Sequence, residues 1–203
     1  PRIGVMGSEG QLNPIIHTYV PIFQKEGVMK RKKTLLVLIF GPFLFLLIVG
    51  NDPVNAGIIS QYDRGWYENT GLKYSPNYFV GETLGIEFRN WFVFDMSGTT
   101  ENITSATLRA YNNNSGFASP DAQETWALFD VTTDVNSLMG GTGGTSAFAD
   151  LAFGTFYGSV SVSASDNDKF VEVSLNANAL SDLNAASGLF AIGGSMVSLG
   201  SSG

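Results

Sequence analysis

Apolar and polar positions alternate with a period of two in short stretches between residues 57 and 203, and clusters of Gly, Asn, Ser and Asp separate the stretches. This is the pattern of antiparallel strands with one face on a core and the other in water. Between Gly158 and Leu175, Val160 and Val162 point one way and Ser159, Ser161 and Ser163 the other. After a turn at Ser165-Asp166-Asn167-Asp168, Val171, Val173 and Leu175 alternate with Phe170, Glu172 and Ser174, so the whole segment reads as a β-hairpin. Ala106, Leu108 and Ala110 alternate with Thr107, Arg109 and Tyr111, and Ala127, Phe129 and Val131 with Glu124, Trp126 and Leu128. Glu87 to Asp95 is apolar on both faces over its second half, which places it centrally in a sheet with Phe92 and Phe94 towards the core. Gly188 to Val197 supplies a last strand.

Helical signals are few. Ala177 to Ala186 is rich in Ala, Leu and Asn, with Asn176 placed to cap its first turn. Ser146 to Leu151 forms a second short helix, Asp134 to Met139 one turn, and Gly140 to Gly144 a loop between them. Many short strands with few helices predict an all-β fold: an antiparallel β-sandwich, jelly-roll-like, with one or two short helices.

A different pattern precedes this region. Met29 is followed by Lys30, Arg31, Lys32 and Lys33, then by an apolar run from Leu35 to Val49 broken only by Gly41 and Pro42, and then by Val54-Asn55-Ala56. Basic, apolar and small residues in that order make a secretory signal peptide over 29–56, a signal helix with cleavage expected between Ala56 and Gly57. The run covers 15 residues, whereas a helix needs roughly 17 to 25 to cross a bilayer core, so contact with the membrane is expected only in passing. Residues 1–28 lie upstream of a better start, Met29, and are expected to be an untranslated or disordered extension. Lys25-Glu26-Gly27 back-translates to a purine run of the bacterial ribosome-binding kind, which supports that start. The expected organisation is therefore 1–28 extension, 29–56 signal peptide and 57–203 a single sandwich domain, C-terminally truncated if a sorting tail belongs to it. The expected location is secreted or at the bacterial cell surface.

Composition narrows the chemistry. Residues 57–203 carry five basic side chains (Arg64, Lys73, Arg89, Arg109 and Lys169) against fifteen acidic ones, a net charge near −10. Nucleic acid is not an expected partner, because phosphate binding needs clustered Lys and Arg. The chain has no cysteine, and its one histidine, His17, precedes the signal peptide. The exported part therefore has no Ser-His-Asp or Cys-His site, no His-ligated zinc and no disulfide.

Five strings carry a resemblance: Phe88-Arg89-Asn90-Trp91-Phe92-Val93-Phe94-Asp95-Met96-Ser97 with Ile103-Thr104-Ser105-Ala106-Thr107-Leu108, Trp126-Ala127-Leu128-Phe129-Asp130-Val131-Thr132-Thr133, Tyr157-Gly158-Ser159-Val160-Ser161-Val162 and Leu189-Phe190-Ala191-Ile192-Gly193-Gly194. Together they resemble secreted bacterial proteins of the PEP-CTERM type, the substrates of exosortase sorting. The resemblance implies a jelly-roll-like domain, related in pattern to carbohydrate-binding modules and associated with the cell envelope or extracellular matrix. The Pro-Glu-Pro tail that defines the family does not occur before Gly203.

Pairing of Ile86–Asp95 with Thr104–Tyr111 in a register that sets Arg89 against Tyr111 and Trp91 against Arg109 would create a cation–aromatic surface for a sugar ring. Bracing of the sheet by the same side chains is the structural alternative. Burial of both Trp91 and Trp126 would remove the platform. A second aromatic set, Tyr62, Trp66, Tyr67, Tyr74 and Tyr78, falls in a polar stretch read as loop at a sandwich edge. Asp166 and Asp168 offer oxygen at alternate positions, and calcium is the one cofactor they could hold, although the glycine and distal glutamate of an EF-hand loop are missing and turn chemistry explains them better.

The expected function is that of a non-catalytic exported envelope or matrix protein. The alternative is a carbohydrate-binding module for extracellular polysaccharide, and the third reading is a carboxylate-dependent glycan-processing enzyme.

Overall fold

A computed structural model describes residues 57–199. The extension, the signal peptide up to Ala56 and the last four residues lie outside the described residues. Nine strands and three helices follow in chain order: β1 (Gln61–Glu68), β2 (Lys73–Tyr74), β3 (Gly81–Thr83), β4 (Ile86–Asp95), β5 (Thr107–Asn112), β6 (Gln123–Asp130), α1 (Val135–Gly140), α2 (Gly144–Asp150), β7 (Phe156–Ser163), β8 (Lys169–Ser174), α3 (Ala177–Ala185) and β9 (Leu189–Met196). The fold is mostly β, built on one large antiparallel sheet in the order β2-β1-β4-β9-β6-β7, with β3 also paired to β4; β5 and β8 form a separate two-stranded ladder.

The apolar character of β4 on both faces follows from its position. Phe92 and Phe94 join the main core with Leu108 and Ala110 of β5, Val171 and Val173 of β8, and Leu183 of α3. Trp91 and Val93 point the other way, into a second core with Tyr67, Leu138 of α1, and Ala147 and Phe148 of α2. The large sheet is thus covered on one face by the β5–β8 ladder with α3, and on the other by α1 and α2.

Two glycines of β9 let neighbouring groups close in. A Cβ on Gly193 would stand 2.8 Å from Leu151 Cα, and one on Gly194 would stand 2.2 Å from Asn90 Oδ1 and 2.6 Å from Trp126 Nε1. A side chain at Gly193 would hold the helical layer off the sheet, and one at Gly194 would displace buried side chains of the flanking strands β4 and β6.

Local signals account for the helices. Asn176 Oδ1 accepts from the N–H groups of Asn178 and Ala179, capping α3 as the sequence predicts. Asp134 caps α1 through Ser137 N, and Gly141 ends it in the left-handed conformation (φ 78°). Leu84 and Gly85, both at positive φ (53° and 80°), make the two-residue link between β3 and β4.

Three expectations need correction. Gly158–Leu175 is not a hairpin: β7 pairs with β6, and β8 with β5. Ser163 and Asp166 close a capping box around a 3₁₀ turn at Ala164–Asp166, and the chain crosses there to the other layer. Val162, Val171 and Val173 consequently face one core from opposite sides. Likewise β4 does not pair with β5; its neighbours are β1, β3 and β9. Lastly, the polar stretch read as edge loop contains β1, whose register on β4 runs from Gln61↔Phe94 to Glu68↔Phe88.

Candidate functional site

The change of partner for β4 divides the four residues expected to form a sugar platform. Arg89 faces the helical layer: its Nη1 donates to the carbonyls of Phe148 (3.0 Å) and Ala149 (3.3 Å) in the last turn of α2, and its Nε lies 2.7 Å from Glu87 Oε1. Its guanidinium stands 4.0 Å from the centroid of the Phe148 ring. Arg89 is a structural clamp at the negative end of a short helix. Trp91 and Trp126 are both fully buried, at 0% exposure, so Trp91 offers no surface to a ligand.

Arg109 and Tyr111 do share a surface, with partners that the sequence reading did not pair with them. On the outer face of the β5–β8 ladder, Arg109 stands opposite Glu172 and Tyr111 opposite Phe170. Arg109 Nε lies 2.6 Å from Glu172 Oε1, and its guanidinium is 4.5 Å from the Phe170 centroid. The Phe170 and Tyr111 rings meet edge to face, 5.4 Å apart at 65°. Tyr111 and Phe170 remain 38% and 37% exposed.

The Tyr111 hydroxyl donates to Asp168 Oδ1, and this bond holds the phenol in its protonated form, raising its pKa. From beneath, the buried Tyr78 hydroxyl donates to the Tyr111 carbonyl. The result is a small outward face of two aromatic rings, a guanidinium and two carboxylates. Rings of this kind can stack on the C–H face of a sugar, while the charged groups accept from and donate to its hydroxyls. Alternation along β8 already turned Phe170 and Glu172 outward; only the identity of their strand partner was missing from the sequence.

The structure turns Asp166 and Asp168 to different partners. Asp166 Oδ2 accepts from Ser163 N (2.8 Å) and Ser163 Oγ (2.9 Å), while Asp168, at φ 60°, accepts from Tyr111. The two carboxylates are engaged with different partners as turn and ladder groups, and among the described residues no group of three acidic side chains is placed to hold a metal ion.

The second aromatic set is divided as well. Tyr67 is buried and donates its hydroxyl to Leu138 O at 2.9 Å, and Tyr78 is buried beneath β5. Trp66 stacks on Tyr74 across the β1–β2 pair (5.2 Å, 11°) and meets Phe79 edge-on (4.6 Å), while Tyr62 is exposed. A shallow hollow beside α2 is lined by Thr132, Thr133, Ser146, Ala149, Asp150 and Phe153. Its one carboxylate, Asp150, already accepts from the backbone N–H and the hydroxyl of both threonines at 2.7–2.9 Å, which joins α2 to the end of β6. Compared with known proteins, the chain matches no family model, no curated protein and no solved structure.

Proposed function

We propose that this chain is an exported, non-catalytic β-sandwich of jelly-roll type that serves in a bacterial cell envelope or extracellular matrix. The observation that carries the reading is where the reactive-looking side chains go. Trp91 and Trp126 lie inside, Arg89 clamps α2, and Asp150, Asp166 and Asp182 bond to neighbouring parts of the frame. These groups hold layers together and are not gathered around a cleft. The passage of consecutive strands between layers, β4 to β5 and β7 to β8, supports jelly-roll connectivity. The signal-peptide pattern and the resemblance to PEP-CTERM-type proteins support export.

The test is to express the full chain in a bacterial host with a secretion pathway, fractionate the cells and sequence the N-terminus of the product. Extracytoplasmic protein beginning at Gly57 is the expected result; cytosolic protein that begins ahead of Met29 overturns the reading.

The outer face of the β5–β8 ladder favours a second reading, a carbohydrate-binding module that uses Arg109, Tyr111 and Phe170. Incubation with insoluble polysaccharides distinguishes the possibilities. A module is retained without releasing reducing ends and loses retention on Phe170→Ala or Tyr111→Ala, a glycan-processing enzyme releases reducing ends, and a purely structural protein does neither.

A further inference from the structure

Strand β7 ends the large sheet, and no described strand pairs with its outer side. Two of its outward backbone groups are satisfied by local partners. The Tyr157 carbonyl accepts from Asn176 N at 2.8 Å, and Ser163 N donates to Asp166 Oδ2 at 2.8 Å. In an antiparallel sheet the N–H and C=O of alternate residues point to the same side, so Ser159 and Ser161, which share the parity of Ser163, also direct theirs away from β6; the Thr125 carbonyl, opposite Ser161, is likewise turned from β7 and accepts from Val197 N at 2.9 Å. Both serines are exposed, and among the described residues no turn or loop group bonds to these four backbone atoms.

Three features of this edge point to one occupant. From Phe156 to Ser163 there is no charged residue and no proline, two of the devices that ordinarily protect an edge from strand addition, and the strand's one irregularity, the register shift at Tyr157, lies outside Ser159–Ser161. The other end of the sheet is guarded: β2 is two residues long, contains Lys73 and runs into Pro76. Finally, Ser159-Val160-Ser161 reads the same in both directions. Two copies aligned antiparallel about Val160 would set Ser159 against Ser161 twice, making four N–H···O bonds, with the two Val160 side chains adjacent at the axis. Val160 is half-buried in the monomer and has apolar surface left to cover.

We infer that the β7 edge is a self-pairing surface, through which a second copy of this chain joins two large sheets into one across a two-fold axis. The contact is isologous and closes at two copies, because β7 is used up on both sides. Two chains with a net charge of −7 each repel one another, so pairing strengthens as salt screens that repulsion. Export plays no part in this geometry, which stands whether or not the proposed function does.

Sedimentation equilibrium of the full chain over a roughly hundredfold concentration range should show a monomer–dimer equilibrium that shifts towards dimer in higher salt. Ser161→Pro removes the outward N–H without touching the ladder to β6 and should weaken the dimer roughly tenfold to a hundredfold, through loss of two of the four bonds. The chain has no cysteine, so a single Val160→Cys reports register: oxidised glutathione should convert two facing thiols into an inter-copy disulfide, being itself reduced to two equivalents of glutathione. Ser161→Cys, whose counterpart across the axis is Ser159, should cross-link far less. Circular dichroism establishes that each variant is folded, and if Ser161→Pro is not, the wild-type sedimentation and the Val160→Cys cross-link decide. A wild-type chain that stays monomeric throughout, including one that captures a strand of a different protein, overturns the inference. So does a dimer that persists while Val160→Cys fails to cross-link.

Discussion

The hydroxyl of Tyr157 donates to Asp182 Oδ2 at 2.7 Å, which fastens β7 to α3, and the Tyr157 ring lies against Phe190 of β9 (6.3 Å, 21°). The ring is buried and the acceptor is a carboxylate oxygen, so the bond belongs to the stronger class. Tyr157→Phe keeps the packing and removes the bond. It should lower the free energy of unfolding by about 1–3 kcal/mol, read from the midpoint of urea denaturation at unchanged slope.

Alkali should destabilise the protein through its buried tyrosines. Burial pushes the pKa of Tyr78 up to about 12, and burial together with the bond to Asp182 raises that of Tyr157 further. A tyrosine whose pKa is raised by folding binds its proton more tightly in the native state, so the unfolded chain ionises first and stability falls as pH rises. For Tyr78 the stabilisation is complete below pH 10, and about 3 kcal/mol is lost between about 10 and about 12. Thermal melts at stepped pH should therefore decline from about pH 10 upwards, and Tyr78→Phe should flatten that decline.

Gly194 lies between two buried polar groups. The place of its missing Cβ is 2.2 Å from Asn90 Oδ1 and 2.6 Å from Trp126 Nε1, and neither atom has a hydrogen-bond partner. Gly194→Ala must displace one of two fully buried side chains, with an expected loss of about 1–3 kcal/mol by overpacking. The melting temperature measures it, and an unchanged or raised value would mean that β9 has room at this point.

Asn176 satisfies three backbone groups through its side chain: the N–H groups of Asn178 and Ala179 through Oδ1, and the Phe156 carbonyl through Nδ2 at 2.7 Å. Asn176→Ala should cost about 1–2 kcal/mol for the cap, and Asn176→Asp should recover the cap while losing the bond to Phe156. Comparison of the two by chemical denaturation separates the helix end from the strand end.

What could be read from the sequence followed from local chemistry. The two-faced apolar pattern of β4, the Asn176 cap, the alternation in β5 and β8 and the last strand at β9 each depend on neighbours a few residues away, and each appears where the pattern placed it. Strand partnership is a long-range property. A turn at Ser165–Asp168 between two alternating runs fits a hairpin and an inter-layer crossing equally well; the capping box of Ser163 and Asp166 selects the crossing. The eleven residues from Met96 to Ala106 similarly allow β5 to leave β4 for the other layer. The candidate site was half legible for the same reason: Arg109 and Tyr111 share a face whatever they pair with, whereas Arg89 and Trp91 depended on a pairing that does not occur.

Trp91 and Trp126 are embedded on opposite sides of a single sheet, and the third tryptophan, Trp66, is stacked at its border. Each indole therefore monitors a separate compartment. Variants that retain one tryptophan at a time would report optically whether the helical cover detaches before, after or together with the β5–β8 side, turning the molecule's own chromophores into a map of how cooperatively it comes apart.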